Sequence, residues 1–243
     1  MRSSLFVQTK QKLLNMINNR EALTRGNQLA PEDVLSEKLR ISRTTTRDVL
    51  SSLDIEGVIS KKHGLGNFVH FSAIERAMRI DKARDFAELI ELGGYEASSE
   101  VDLSSFGQRR VSDDTAVRLG LEPGDSLFYF ECIFYASSRP SIHCHIYVPQ
   151  HKLKVLPAKQ TEKTIYKFLK KYCDEEVTHT IVSFHPINSN EALSKLFNLE
   201  PGTALLSWQQ IYYNLFDEII CYSESYFNPE IIQTSMLRKH CEV

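Results

Sequence analysis

The sequence predicts an α+β protein of two domains, and three observations carry that prediction. Between Leu29 and Phe71, two short helical patterns joined by a tight turn are followed by a hairpin with a glycine-rich tip. From Phe86 to Phe227, helical and strand patterns alternate. The charge also changes sign along the chain: residues 1–72 hold 11 Lys/Arg against 7 Asp/Glu, whereas residues 73–243 hold 18 against 24. These features place a first domain at 1–72, a linker at 73–85 and a second domain at 86–243. The length of 243 residues suits two domains of ordinary size, and an apolar fraction of 42% with 25% charged residues is that of a globular protein.

Phe6, Leu13, Leu14 and Ile17 recur at helical spacing and predict a first helix over 5–18. Pro31 suits the opening turn of a second helix, whose buried stripe is Val34, Leu35 and Leu39. Arg40-Ile41 forms the turn, with Ile41 as its apolar plug. Ser42 is a natural N-cap, its hydroxyl placed to accept from an amide near Thr45. A third helix then runs to about Glu56, buries Val49, Leu50 and Leu53, and stops at Gly57. Val58–Lys62 and Asn67–Phe71 are the arms of a hairpin whose tip is His63-Gly64-Leu65-Gly66.

That order is a winged helix-turn-helix, which puts its last helix into a DNA major groove. The exposed face of that helix starts at Ser42, Arg43, Thr44 and Thr45, with Arg47 a turn later. Arginine forks suit guanine edges and phosphates, and hydroxyls at a helix N-terminus suit phosphate oxygens. Lys61, Lys62 and His63 extend the same surface along the wing, and Gly64 allows close backbone approach.

Leu29, Glu32, Leu35, Ser42, Arg43, Thr44, Thr46, Arg47, Leu50, Leu53, Gly57, Gly64, Gly66, Phe68 and Val69 together closely resemble the winged-helix pattern of GntR-type bacterial transcription regulators. The resemblance implies operator contacts by Arg43, Thr44, Thr45, Arg47, His63 and Gly64. It also exposes a departure. The family often carries a DNA-touching arginine where this chain has Asp33, and a carboxylate repels phosphate.

In the second part, a helix is expected at Phe86–Leu92, ended by Gly93-Gly94. A small helix, a Pro-Gly turn and a strand follow, paired with SIHCHIYVP across Ser137-Ser138-Arg139-Pro140. Further expected elements are a helix at 161–172, a strand at 177–187, a helix at 190–197, and strands at 204–214 and 219–227. LGLEPGDSLFYFE (119–131) recurs loosely as FNLEPGTALLSWQ (197–209), which suggests a duplicated helix-turn-strand unit.

Gly94 with Ser98-Ser99, Leu119-Gly120-Leu121 with Gly124, Pro140 with Tyr147 and Pro149, the Leu199–Gly202 unit, and Tyr222-Ser223 with Tyr226 resemble the UTRA domain of the HutC branch of these regulators, whose fold is similar to chorismate lyase. The resemblance implies a small-molecule effector site. Candidate effector residues are Phe86, Ala87, Ser98, Ser99, Cys132, Phe134, Cys144, Thr164, Tyr166, Glu224 and Tyr226. Sugar-phosphate sensors of this branch place arginines and a glutamate where this chain has Cys132, Phe134 and Cys144. The phosphate-clamping charges are gone, so the effector is expected to be less anionic, more apolar, or bound by different residues.

His143 and His145 share one strand face by period two, but that face shows no obvious carboxylate or cysteine to complete a metal set. No metal and no cofactor are expected. Cys132 and Cys144 face each other across the hairpin, which leaves redox sensing as an alternative. The cysteines (132, 144, 173, 221 and 241) are odd in number and without CxxC spacing, as expected of reduced thiols in the cytoplasm. There is no secretory signal and no membrane-length apolar run, so no membrane partner is expected.

The expected function is a transcription regulator, a repressor, acting as a homodimer on near-palindromic double-stranded operator DNA under control of a small-molecule effector. Two alternatives stand beside it. One is an enzyme acting on a small acid through the chorismate-lyase-like domain, although the chain shows no nucleophile–base pair and no phosphate-cradling loop. The other is an architectural DNA-binding protein without an effector.

Overall fold

Local capping and apolar spacing place the head's helices and hairpin much where the sequence puts them. In the computed structural model, which describes residues 4–83, 85–110, 113–122, 124–157 and 164–239, the chain divides into two units. One is Met1–Lys82 joined by Ser235–Val243; the other is Ala83–Thr234. The expected boundaries therefore shift, because the linker as far as Lys82 and the described segment Ser235–Lys239 group with the head.

The head comprises α1 (Ser4–Asn18), β1 (Leu23–Arg25), β2 (Gln28–Leu29), α2 (Glu32–Leu39), α3 (Arg43–Ile55), β3 (Ile59–Lys62), β4 (Gly66–Val69) and α4 (Phe71–Ile74). Leu13, Ile17, Leu35, Leu39, Val49, Leu50, Leu53, Val58, Ile59 and Val69 form its core. Val34 does not belong to it: the side chain is 37% exposed, and Leu35, Ser36 and Leu39 are the buried face of α2. The turn between α2 and α3 is set by Arg40 in the left-handed region (φ +57°): its amide donates to Glu37 O and the Ile41 amide donates to Ser36 O, both at 3.1 Å. Thr45 N–H donates to Ser42 Oγ at 3.1 Å, the expected cap. The sequence reading missed β1 and β2, which extend the wing into a sheet of order β1-β2-β4-β3.

The end of the chain completes this unit. Arg79, 2% exposed, donates through Nη1 to Ala73 O (3.3 Å) and through Nη2 to Glu56 O (3.0 Å), and pairs with Asp81. Ser235 bridges Arg79 in parallel, with Ile80 N–H donating to Ser235 O at 2.9 Å and Ser235 N–H to Met78 O at 3.1 Å. Leu237 lies so close to Gly57 (φ +67°) that a Cβ there would collide with it. Lys82 is partly buried, and burial and the nearby Arg79 charge lower its pKa.

The body holds α5 (Phe86–Leu92), β5 (Ala97–Arg110), α6 (Asp113–Leu119), β6 (Ser126–Ala136), β7 (Arg139–Pro149), α7 (Ile165–Phe168), β8 (His179–Asn188), α8 (Glu191–Phe197), β9 (Ala204–Tyr213) and β10 (Ile219–Phe227). A wider π-type turn, Leu169–Cys173, continues α7. All six strands form one antiparallel sheet of order β5-β6-β7-β10-β9-β8. The duplication is larger than the Leu-Glu-Pro-Gly turns suggest. Helix, edge strand, helix, strand, strand occurs first as α5-β5-α6-β6-β7 and again as α7-β8-α8-β9-β10, and the halves meet at β7 and β10.

Both hairpin-turn residues Ser137 and Ser138 have positive φ (+47° and +71°), as a two-residue I′-type turn requires. A bulge then shifts the β6–β7 register: Tyr135 faces Pro140, but Phe134 faces Ile142, leaving Ser141 as the extra residue. Ser141 Oγ donates to Phe134 O (2.9 Å), which fastens the bulge.

Candidate functional site

On the head, Ser42 at the N-cap and Arg43 and Thr44 at the start of α3 are exposed, while Thr45 is half-buried with its hydroxyl 2.9 Å from Ser42 Oγ. Arg47 is 69% exposed, and its Nε donates to Glu32 Oε2 at 3.2 Å. Thr46 faces inward and donates to Ser42 O, so it is structural. On the wing, Lys61 donates from Nζ to Ser51 Oγ at 2.8 Å, which draws it onto α3. Lys62, His63 and Gly64 are exposed at the tip, with Gly64 at φ +72°. Gln28, which sequence reasoning overlooked, holds that tip by donating from Nε2 to Leu65 O at 2.7 Å. Asp33 is exposed at the start of α2.

The body offers two sheet faces, and residues paired across the sheet share one. The first is covered by α5 and α7. Phe86 sits edge-on to Phe134 (5.6 Å), Trp208 (5.5 Å) and Phe227 (5.6 Å). Cys132 and Cys144 are buried and directly opposed, and Ser225 Oγ donates to Cys144 Sγ at 3.2 Å. Tyr166 meets Tyr212 edge-on at 6.1 Å. Ala87 is half-buried on α5, and Thr164 caps α7 by accepting from Lys167 N–H at 3.3 Å. Ser99, exposed near the start of β5, shares this face with its partner Phe134, whereas Ser98, paired with Tyr135, is corrected to the opposite face. Trp208 Nε1 is buried with no hydrogen-bond partner among the described residues.

Burial pushes the Cys132 thiol up to about 12 and the Cys144 thiol well above its ordinary value, so neither is a thiolate at neutral pH. That chemistry disfavours the redox alternative. Cys173 and Cys221 are also buried free thiols; Cys241 lies outside the described residues.

Glu224 and Tyr226 are corrected: they lie on the opposite face. Ser225 is the β10 residue paired with Cys144, so its neighbours must point away. There, Asp102, Glu131, His145, Glu224, Gln209 and Ser183 form one polar row across all six strands. Helix α6 packs at one end of this face, against Leu127, Tyr129 and Tyr222, and α8 packs at the other, against Leu205 and Tyr226. Glu224 lies between Tyr222 and Tyr226 on β10, hence between the two helices.

Glu131 Oε1 accepts from the Tyr129 hydroxyl (2.6 Å), and its Oε2 lies 2.9 Å from His143 Nε2. His145 Nδ1 lies 2.6 Å from the same Tyr129 oxygen. Burial, reinforced by the His143 charge, pushes His145 down to about 4 against the pull of Glu131 and Glu224. Burial works against the Glu131 carboxylate, yet the Tyr129 hydroxyl and the two imidazoles hold its pKa below the ordinary value. Sequence reasoning saw no carboxylate on the histidine face; the structure puts Asp102, Glu131 and Glu224 there.

A helix-turn-helix with a wing, carried with a six-stranded body, defines a two-domain class of DNA-binding regulator. Family comparison agrees in both parts: residues 5–69 match the model for bacterial regulatory proteins of the gntR family, and residues 94–233 match the UTRA domain. The chain belongs to the GntR family of transcription regulators that carry a UTRA domain.

The HTH-type transcriptional regulator GgaR of Escherichia coli K12 is 26% identical over 149 residues, 60% of this chain and 57% of GgaR, so the match spans little more than half of that relative. Among solved structures, the possible transcriptional regulator YydK from Bacillus subtilis superposes with a TM-score of 0.75 at 18% identity, covering 98% of this chain and 100% of that one. PhnF from Mycobacterium smegmatis gives 0.58 at 14% identity over 95% and 99%. At these identities the two structures support the fold. Among the described residues no helix is long and apolar enough to cross a membrane.

Proposed function

We propose that this chain is a homodimeric repressor that binds a near-palindromic operator and releases it when a small, weakly charged effector occupies the body. The observation that carries the reading is the exposed start of α3, where Arg43, Thr44 and Arg47 stand on a helix whose other side is fully buried. Two copies are proposed because one recognition helix reads too few bases for useful specificity. Ser42, Thr45, Lys61, Lys62, His63 and Gly64 complete the proposed DNA surface.

The proposed effector site is the α5/α7 face. Phe86, Cys132, Phe134, Cys144 and Trp208 give it an apolar lining, and the buried Trp208 N–H is a donor for an acceptor oxygen of the ligand. An uncharged or weakly charged ring compound suits that chemistry better than a phosphate. Release requires that the effector bind one arrangement of the dimer better than the other.

Operator selection from random DNA, followed by a shift assay against a metabolite panel, tests the reading. An enriched palindrome whose complex dissociates with an uncharged or weakly charged compound supports it. No enrichment at low salt removes the DNA-reading role.

A further inference from the structure

We propose that Glu131, His143 and His145 form a binding site for a divalent transition-metal ion on the α6/α8 face of the body. Their ligating atoms all lie within 4.8 Å of one another. Tetrahedral bonds of about 2.0–2.1 Å separate neighbouring ligand atoms by roughly 3.4 Å, so small side-chain rotations close the set. Two imidazoles and one carboxylate are the donors that borderline ions such as Zn2+, Co2+, Ni2+ and Fe2+ favour over Mg2+ or Ca2+.

Three features make this more than a chance meeting of polar groups. The residues come from two adjacent interior strands of the sheet, so their backbones are held by the ladder rather than by a loop. The bulge at Ser141 creates the set: uninterrupted pairing from the turn would put Cys144, not His145, opposite Glu131. Finally, His143 turns Nε2 towards Glu131 while its Nδ1 is buried with no hydrogen-bond partner among the described residues, so the ring is not fixed by a second polar contact there.

The surroundings fit an ion as well. The Tyr129 hydroxyl touches both Glu131 and His145, an outer-shell contact of the kind that orients ligands. Glu224, opposite His145, adds negative charge and is itself held by Gln209 Nε2 at 3.1 Å. The Arg109 guanidinium lies 3.9 Å from the centre of the Tyr129 ring. Three protein ligands leave room at the ion for water or an oxygen-bearing small molecule. The site is separate from the α5/α7 face, and the proposal stands whether or not that face binds an effector.

The test uses the purified full-length protein, stripped with chelator and titrated with Zn2+ by calorimetry and with Co2+ by visible absorption. One ion per chain is expected, with cobalt bands of a nitrogen–oxygen site and no thiolate charge-transfer band. Glu131→Gln, His143→Asn and His145→Asn should each weaken binding by at least roughly 10- to 100-fold, the loss typical of disturbing even an outer shell. His151→Asn, on an exposed turn, should leave binding unchanged. Zinc should raise the melting temperature of the wild type and of His151→Asn but not of Glu131→Gln, a readout that also shows each variant folded. No saturable binding, a thiolate band, or affinity unchanged by Glu131→Gln and His145→Asn would overturn the assignment.

Discussion

The ammonium of Lys239 lies 2.5 Å from Oδ1 of Asp54 and also donates to the Asp54 carbonyl at 3.0 Å, so the last described residue of the chain is fastened to the recognition helix. Leu237 packs at Gly57, just beyond the same helix. Lys239→Ala should cost only about 0–1 kcal/mol, as partly exposed ion pairs do. Leu237→Ala should cost more, about 1–2 kcal/mol, through lost packing. Thermal unfolding of both variants checks the order; equal effects would mean that the charge rather than the apolar contact holds the segment.

Gly57→Ala combines a strained left-handed backbone with a collision at Leu237. We expect a loss of about 1–3 kcal/mol. Leu237→Ala should recover part of it in the double variant, because the collision is then relieved. Strict additivity in a double-mutant cycle would show that the backbone term alone matters.

Arg79 is buried against Asp81 and two carbonyls. Arg79→Ala takes this donor from Ala73 O and Glu56 O and leaves the Asp81 carboxylate without its counter-charge, and should destabilise the head by about 3 kcal/mol or more. Urea unfolding checks this. A loss under 1 kcal/mol would show that water replaces the guanidinium without penalty.

The Arg79–Asp81 pair also sets a pH dependence. Burial alone would raise the Asp81 pKa, but the Arg79 hydrogen bond and charge, with the Leu237 amide, hold it below the ordinary 3.8. A depressed carboxylate stabilises the fold above its unfolded pKa and loses that contribution as pH falls through the folded value. The pair's contribution should therefore be full above about pH 5 and fade below pH 3.8, and Asp81→Asn should flatten that slope. An unchanged acid limb in Asp81→Asn would reject the linkage.

Arg43→Ala and Arg47→Ala should each weaken operator binding by about 1–3 kcal/mol without affecting assembly. Glu32→Ala should act in the opposite direction, because it frees the Arg47 guanidinium from its carboxylate partner. Fluorescence anisotropy with the selected operator measures all three, and unchanged affinity in both arginine variants would remove α3 from the interface.

The head was legible because its signals are local. Ser42, Ile41 and the apolar spacing of Val49, Leu50 and Leu53 specify cap, turn and buried face within one short stretch. β5 was not, because SSEVDLSSFGQRR lacks clean alternation and its pairing with β6 breaks between Asp102 and Gly107. The effector candidates were legible in part: pairing Cys132 with Cys144 was recognised, but Glu224 and Tyr226 were assigned without counting their period against Ser225. The Glu131–His145 juxtaposition follows from that same Cys132–Cys144 register and could have been read from it. The contacts of Arg79 with Ser235 and of Asp54 with Lys239 join segments more than 150 residues apart, and no local pattern announces them.

The head is thus written in two pieces of the gene, with the whole body between them. During synthesis, Leu237 and Lys239 leave the ribosome only after the body has been made, so a nascent chain cannot finish its head before its body exists. Anyone exchanging the body for another must cut and rejoin at two seams, near Lys82 and near Ser235, and a graft made at the first alone would discard part of the head.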